Sequence, residues 1–263
     1  MEHTGSATVA DGARFAFGTL TVLPVRVERW DRAAGRTGML CAPVVGLVVG
    51  LVAAAVGGVL LFLGSGPLLA SVATVAVPAV LTRGLHLDGL ADTADGLGSG
   101  KPAAEALRIM KQSDIGPFGV LTLVFVLLAQ VAAVSGLYGT GWPEGATAVA
   151  VAALTGRTAM TLACREGVPA ARKDGLGTTV AGAVPARSAW WLAGVTVLAS
   201  ATAGAAFGPY GAVRYAVAAL TALATAELLL RRCRLRLGGV TGDVFGALCE
   251  TAATAALVAL TLG

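Results

Sequence analysis

Residues 40–63 run for 24 positions without one charged side chain. At 1.5 Å per residue, a helix that long outreaches the ~30 Å hydrocarbon core of a bilayer. Six further apolar stretches follow, at 67–82, 117–137, 146–163, 189–207, 212–230 and 244–262. Most approach the ~20 residues that a transmembrane helix needs; 67–82 and 146–163 are short. A water-soluble fold would have to cover all of them. With 13% of residues charged, about half the share of soluble domains, it lacks the surface to do so. The sequence therefore predicts an all-α, polytopic transmembrane helical bundle of about seven spans. It reads as one integral-membrane domain over 1–263. The apolar segment 15–25 is too short to span and is expected at the interface.

Arg and Lys set the orientation. Arg14, Arg26, Arg29, Arg32 and Arg36 precede the first span, and Arg83, Lys101, Arg108 and Lys111 follow the second. Arg165, Arg172, Lys173 and Arg187 follow the fourth, and Arg231, Arg232, Arg234 and Arg236 the sixth. Those are 17 of 19 basic residues; Arg157 falls inside a span and Arg214 on the opposite side. This asymmetry predicts a cytoplasmic N-terminus. It also accounts for the net charge of +4 without nucleic acid, since no basic stripe with interleaved aromatics is present. Residues 1–13 lack the basic start and apolar core of a secretory signal and are expected to be a flexible cytoplasmic tail. Cys41, Cys164, Cys233 and Cys249 stand at no metal-like spacing and read as small core residues without disulfides. The loops on the far side are tiny (GSGP, YGTGWPEG, GPYG), so the polar chemistry is expected to face the cytoplasm.

The segment RGLHLDGLADTADGLGSG, 83–100, breaks the apolar pattern with three aspartates. On a helix over 85–97, Asp88, Asp92 and Asp95 fall within an arc of ~60°. Like charges so placed destabilise a bare helix. A divalent cation would compensate, and Mg²⁺ suits carboxylate oxygens that must also admit a phosphate ligand. Two other readings stay open: a solvated polar face with Asp-Gly turns, and a cation or proton path. His86 points nearly opposite the aspartates, as a base, a phosphate donor or a structural hydrogen bond.

Other polar islands surround this one. Arg108 and Lys111 share a helical face, while Ser113 or Asp114 is expected to cap a helix starting at Pro117. Residues 165–179 form a Gly- and charge-rich loop with Arg172 and Lys173. In 236–250, Asp243 and Glu250 share a helical face, and a carboxylate inside a span needs a partner, for which Arg157 is a candidate. Glycines 238, 239, 242 and 246 permit close backbone contacts.

Together these islands resemble the cobalamin synthase family, from about residue 18 to 262. GLHLDGLADTADGL (84–97) carries the likeness most specifically. LPV (23–25), PVVGLVVG (43–50), IMKQSDIGPFG (109–119), GRTAM (156–160), DGLG (174–177) and LGGVTGDVFGALCE (237–250) follow in family order. The chain departs at Gln112–Ser113–Asp114, where members often have Asp-Ser-Arg, and at Ala253, where they have an acid. Asp92-Thr-Ala-Asp95-Gly also resembles, more loosely, the start of the CDP-alcohol phosphotransferase motif.

The resemblance implies an Mg²⁺-requiring membrane transferase that joins adenosylcobinamide-GDP to α-ribazole, or its 5′-phosphate, releasing GMP. On that reading Asp88, Asp92 and Asp95 are catalytic, with His86 as a lesser candidate. Asp88, Asp92, Asp95 and Asp243 are the expected metal ligands, and Arg108, Lys111 and Lys173 bind substrate phosphates. The 5′-hydroxyl of α-ribazole is the expected nucleophile. The site is placed at the cytoplasmic face of a prokaryotic plasma membrane, and homo-oligomerisation is left open. The rival is a cation-coupled transporter built on the same aspartates.

Overall fold

A computed structural model describes residues 6–262, apart from the side chain of Leu176. The described residues form α1 (Val9–Leu20), α2 (Arg32–Phe62), α3 (Pro67–Leu81), α4 (Leu85–Gly98), α5 (Ala103–Ile109) and α6 (Pro117–Thr140). They continue as α7 (Trp142–Ala163), α8 (Leu176–Val180), α9 (Ala186–Gly204), α10 (Gly208–Leu237) and α11 (Gly242–Ala259). No strand occurs among them.

Local chemistry explains most helix ends. Asp31 accepts from the amide of Ala34 at 2.9 Å and starts α2; Pro67 and Pro117 occupy the first turns of α3 and α6, where a missing N–H costs nothing. Gly238, at φ +84°, ends α10 in the left-handed conformation.

Helix α7 is central. It packs on α2, α6, α9, α10 and α11, and nearly all of its side chains are buried. Small residues set its distance from α2: a Cβ on Gly46 would lie 2.3 Å from the Ala153 carbonyl oxygen. Such close backbone approach is how membrane helices gain dispersion contacts when lipid is as apolar as the side chains. Outside, α6 turns Leu121, Phe125 and Leu128 outward, all more than half exposed. An apolar exterior over a small-residue interior is the inverse of a soluble bundle and fits a bilayer.

Five segments are long and apolar enough to cross a membrane, or six if α3 and α4 count as one broken span. The predicted 67–82 span is a 15-residue helix that qualifies only together with α4. The two helices meet at 88°. We read α4, acidic and amphipathic, as lying along the boundary, outside the membrane-spanning segments. The 52-residue segment Ala186–Leu237 breaks at a 3₁₀ turn, Ala205–Phe207, and α9 and α10 pack against one another.

The expected flexible tail over 1–13 needs correction. Residues 9–13 begin α1, which a reciprocal cap stabilises. The Thr8 hydroxyl accepts from the Asp11 amide at 3.1 Å, and the Asp11 carboxylate accepts from the Thr8 amide at 2.9 Å. Residues 1–5 lie outside the described residues. Arg214, the lone far-side cation, pairs with Glu144 at 2.9 Å, and Glu227, inside the predicted sixth span, pairs with Arg165 at 2.9 Å.

Candidate active site

Helix α4 is wedged against α11 and α6. Two glycines make the first contact possible. A Cβ on Gly89 would lie 2.5 Å from the Asp243 carbonyl oxygen, and one on Gly246 would lie 2.9 Å from the His86 Cα. This approach sets the acidic face of α4 beside the first turn of α11. Burial and the neighbouring carboxylates of Asp88, Asp243 and Asp95 push Asp92 up to about 7, against the opposing field of Arg172. Neither Asp88 nor Asp92 makes a hydrogen bond or ion pair through its side chain among the described residues.

Asp243 is already held. Its Oδ2 accepts from Arg172 at 3.2 Å and from the Thr241 hydroxyl at 3.1 Å. Arg172 also donates to the Leu107 carbonyl of α5 at 2.8 Å. The loop that carries Arg172 is docked, because the Ala171 amide donates to Val240 and the Val240 amide to Pro169, each at 2.9 Å. Lys111 donates to Asp174 at 2.7 Å. This hydrogen bond and the charge of Lys111 hold the Asp174 carboxyl below the usual carboxylate range. Arg108 and Lys173 are exposed and unpaired among the described residues.

Asp95 differs from its two neighbours. It is buried at 7% exposure, and its oxygens accept from the Gly116 amide at 2.8 Å and the Gly119 amide at 2.9 Å. It therefore caps α6 from another helix; neither Ser113 nor Asp114 does so, and Gly116 at the N-cap position offers no side chain. Asp95→Ala strips two amides, one buried and one part-buried, of their acceptor. A loss of about 1–3 kcal/mol is expected, read as a lower midpoint of thermal unfolding in detergent.

His86 lies away from this acidic face, at 2% exposure. Its Nδ1 meets an Arg157 Nη at 3.2 Å. A guanidinium only donates, so Nδ1 accepts and the neutral ring carries its proton on Nε2. That leaves His86 no free lone pair for a base. Arg157 thus partners His86 within hydrogen-bonding distance, while Glu250 accepts from Gln130 at 2.9 Å. Among the described residues, the one group of three or more metal-type donors within 4.8 Å is His86, Cys249 and Glu250. The same tautomer removes its nitrogen ligand.

Thus Asp88, Asp92 and Asp243 are brought together with Arg172. Asp95 stands behind them as a cap, and His86 points into the interior. Arg172 was missed as a site residue because a loop has no period to single it out from Lys173.

No solved structure matches the chain. The family described as Cobalamin-5-phosphate synthase matches residues 12–261. A protein of Frankia casuarinae named adenosylcobinamide-GDP ribazoletransferase is 41% identical, over 95% of this chain and 94% of its own length. Proteins of the same name from a Nocardioides species (40% identical; 95% and 97%) and Pseudomonas paraeruginosa (38%; 92% and 94%) are also similar. Matched over nearly its whole length, and above 30% identity to relatives that it covers almost entirely, the chain belongs to the cobalamin-5-phosphate synthase family.

Proposed function

We propose that the chain is an Mg²⁺-dependent transferase that joins adenosylcobinamide-GDP to α-ribazole or its 5′-phosphate and releases GMP. The observation that carries this reading is the acidic face of α4 set against Asp243 and Arg172, in a chain whose relatives bear that enzyme's name.

The residues fit Mg²⁺. The aspartates do not form a cage of three oxygens within 4.8 Å among the described residues. Mg²⁺ needs none, since it commonly takes one or two carboxylates and fills its shell with water and substrate phosphate. Asp92 and Asp243 would hold it, and it would neutralise charge on the diphosphate. Arg172, Lys111, Arg108 and Lys173 screen the remaining oxygens. The leaving GMP is then stabilised by cations already in place.

The nucleophile needs a correction. An acceptor that enters with a 5′-phosphate and keeps it has no 5′-hydroxyl to offer, so another ribose hydroxyl attacks. Its oxygen bonds to the phosphorus nearer the cobinamide, the bond to GMP breaks, and the proton passes to Asp88, which is exposed and unpaired. The positive loops at the site end support a site that faces the cytoplasm of a prokaryotic cell.

The test is a product assay in liposomes with both substrates. GMP and cobamide are expected in equal amounts. Neither is expected after EDTA, and both return with Mg²⁺. GMP without cobamide would mark a hydrolase. No product from folded protein, with ion flux instead, would favour a transporter and overturn the reading.

A further inference from the structure

A second feature adjoins the acidic face on its far side. A cleft of about 610 Å³ lies between the end of α1, the α3–α4 turn, α4 and the start of α6. Its lining combines polar side chains, Thr19, Thr21, Thr82, Arg83 and Asp88, with the apolar Leu87, Ile115 and Leu123. Asp92, Asp243 and Arg172 do not line it. Asp88 alone belongs both to this cleft and to the group of carboxylates around Asp92.

The three threonine hydroxyls of the lining are committed as donors. Thr19 donates to the Phe15 carbonyl at 2.6 Å, Thr21 to Phe17 at 2.6 Å and Thr82 to Pro78 at 2.9 Å. The oxygens of Thr19 and Thr82 are left to accept, and that of Thr21, which already accepts from the Leu23 amide at 3.2 Å, keeps a second lone pair; this suits a ligand that brings hydroxyl groups. Arg83 is the one described non-glycine residue with positive φ, at +53°. With Gly84 at φ +72° it turns the chain from α3 into α4. Its guanidinium makes no hydrogen bond or ion pair among the described residues, so it is free to meet an anion.

We infer that this cleft is the acceptor subsite, and that Arg83 reads a phosphate carried by the acceptor riboside. The inference rests on the proposed transferase reading. The cleft falls within the ~300–1,000 Å³ typical of small-ligand pockets. A riboside with an aromatic base fits that size and matches the mixed lining, its ring against the aliphatic side chains and its sugar on the threonines. The corrinoid is several times larger and does not fit. The diphosphate has its own cations across Asp88, namely Arg172 and Lys111. A riboside seated here presents a sugar hydroxyl to Asp88, the residue that the cleft shares with the acidic face.

The test compares α-ribazole 5′-phosphate with α-ribazole on the full-length protein in detergent, at saturating adenosylcobinamide-GDP and Mg²⁺. The wild type is expected to show at least a tenfold lower KM for the phosphorylated acceptor. Arg83→Gln should raise that KM about tenfold or more. It should leave the KM values for α-ribazole and for adenosylcobinamide-GDP within twofold. Arg83→Lys should recover much of the difference. Equilibrium binding of α-ribazole 5′-phosphate to the protein alone, measured by calorimetry, should weaken in step. Equal KM values for the two acceptors in the wild type would overturn the assignment, and so would an equal shift for both in Arg83→Gln. A rise only in the KM for adenosylcobinamide-GDP would move Arg83 to the diphosphate side and also overturn it. A wild type that binds the phosphorylated riboside through Arg83 but makes no cobamide would sink the transferase reading and leave a riboside phosphate site. Failure of both catalysis and binding would remove both.

Discussion

Asp92→Asn is expected to lower the rate of GMP release by about 10²–10³-fold, the usual loss when one group aimed at developing charge is removed. The same substitution is expected to leave the unfolding midpoint unchanged or higher. The two signs oppose each other for a physical reason. Asp92 is half-buried among Asp88, Asp243 and Asp95 and makes no neutralising pair of its own. Its charge is a burden on the folded chain when no cation is bound, and the amide is nearly isosteric without that charge. A carboxylate that stands where its charge opposes stability fits a role in the chemistry. The measurement pairs initial rates at saturating substrates and Mg²⁺ with thermal unfolding of the same preparation. A rate within about threefold of wild type would take Asp92 out of the reaction. An equal fall in rate and stability would make it a packing residue. Asp95→Ala supplies the contrast, because its carboxylate caps α6 and its loss should appear first in stability.

The contrast between two aspartates three residues apart marks the limit of what the sequence discloses. Helical periodicity places Asp88, Asp92 and Asp95 on one face correctly, and α4 runs from Leu85 to Gly98 as expected. Periodicity says nothing of what that face meets. Asp95 meets the start of α6, 21 and 24 residues later, and a cap supplied across that separation leaves no local signature. His86 was legible as facing away, but its partner Arg157 lies 71 residues on. Both Arg157 and Glu250 stood out as ionisable groups inside spans, yet nothing in the chain told which neighbour each would take. The apolar helices were the easiest to read. A bilayer demands long uncharged runs, and that demand is written in consecutive residues, whereas a docked loop such as 165–175 is held by pairings with 240 that no window spans. Glycines sit between these cases: Gly246 was expected to allow close contact, while the contact of Gly89 with α11 could be seen only once both helices were placed.

Gly89→Ala is expected to lower activity by about 10²-fold, although the new methyl group reaches no substrate. Its Cβ would lie 2.5 Å from the carbonyl oxygen of Asp243 and 2.8 Å from its Cα. Both are backbone atoms, so no side chain can rotate away; α4 and α11 must move apart. Overpacking of this kind costs about 1–3 kcal/mol in stability. The larger effect is geometric. Asp92 stands on one of these helices and Asp243 on the other, so separation pulls the proposed metal-binding carboxylates apart. A misplacement of ~1 Å is enough for a loss of that order. Mg²⁺ should therefore be needed at higher concentration, and raising it should restore part of the rate. Gly194→Ala is the matched control: Gly194 lies within α9, and a Cβ there meets nothing within 4 Å, so its activity should equal that of the wild type. If Gly89→Ala lost stability but turned over normally at wild-type Mg²⁺, the close crossing of α4 and α11 would serve the fold alone. A shifted Mg²⁺ requirement would instead tie that crossing to the chemistry, since the spacing of the carboxylates helps to set how tightly they hold a cation.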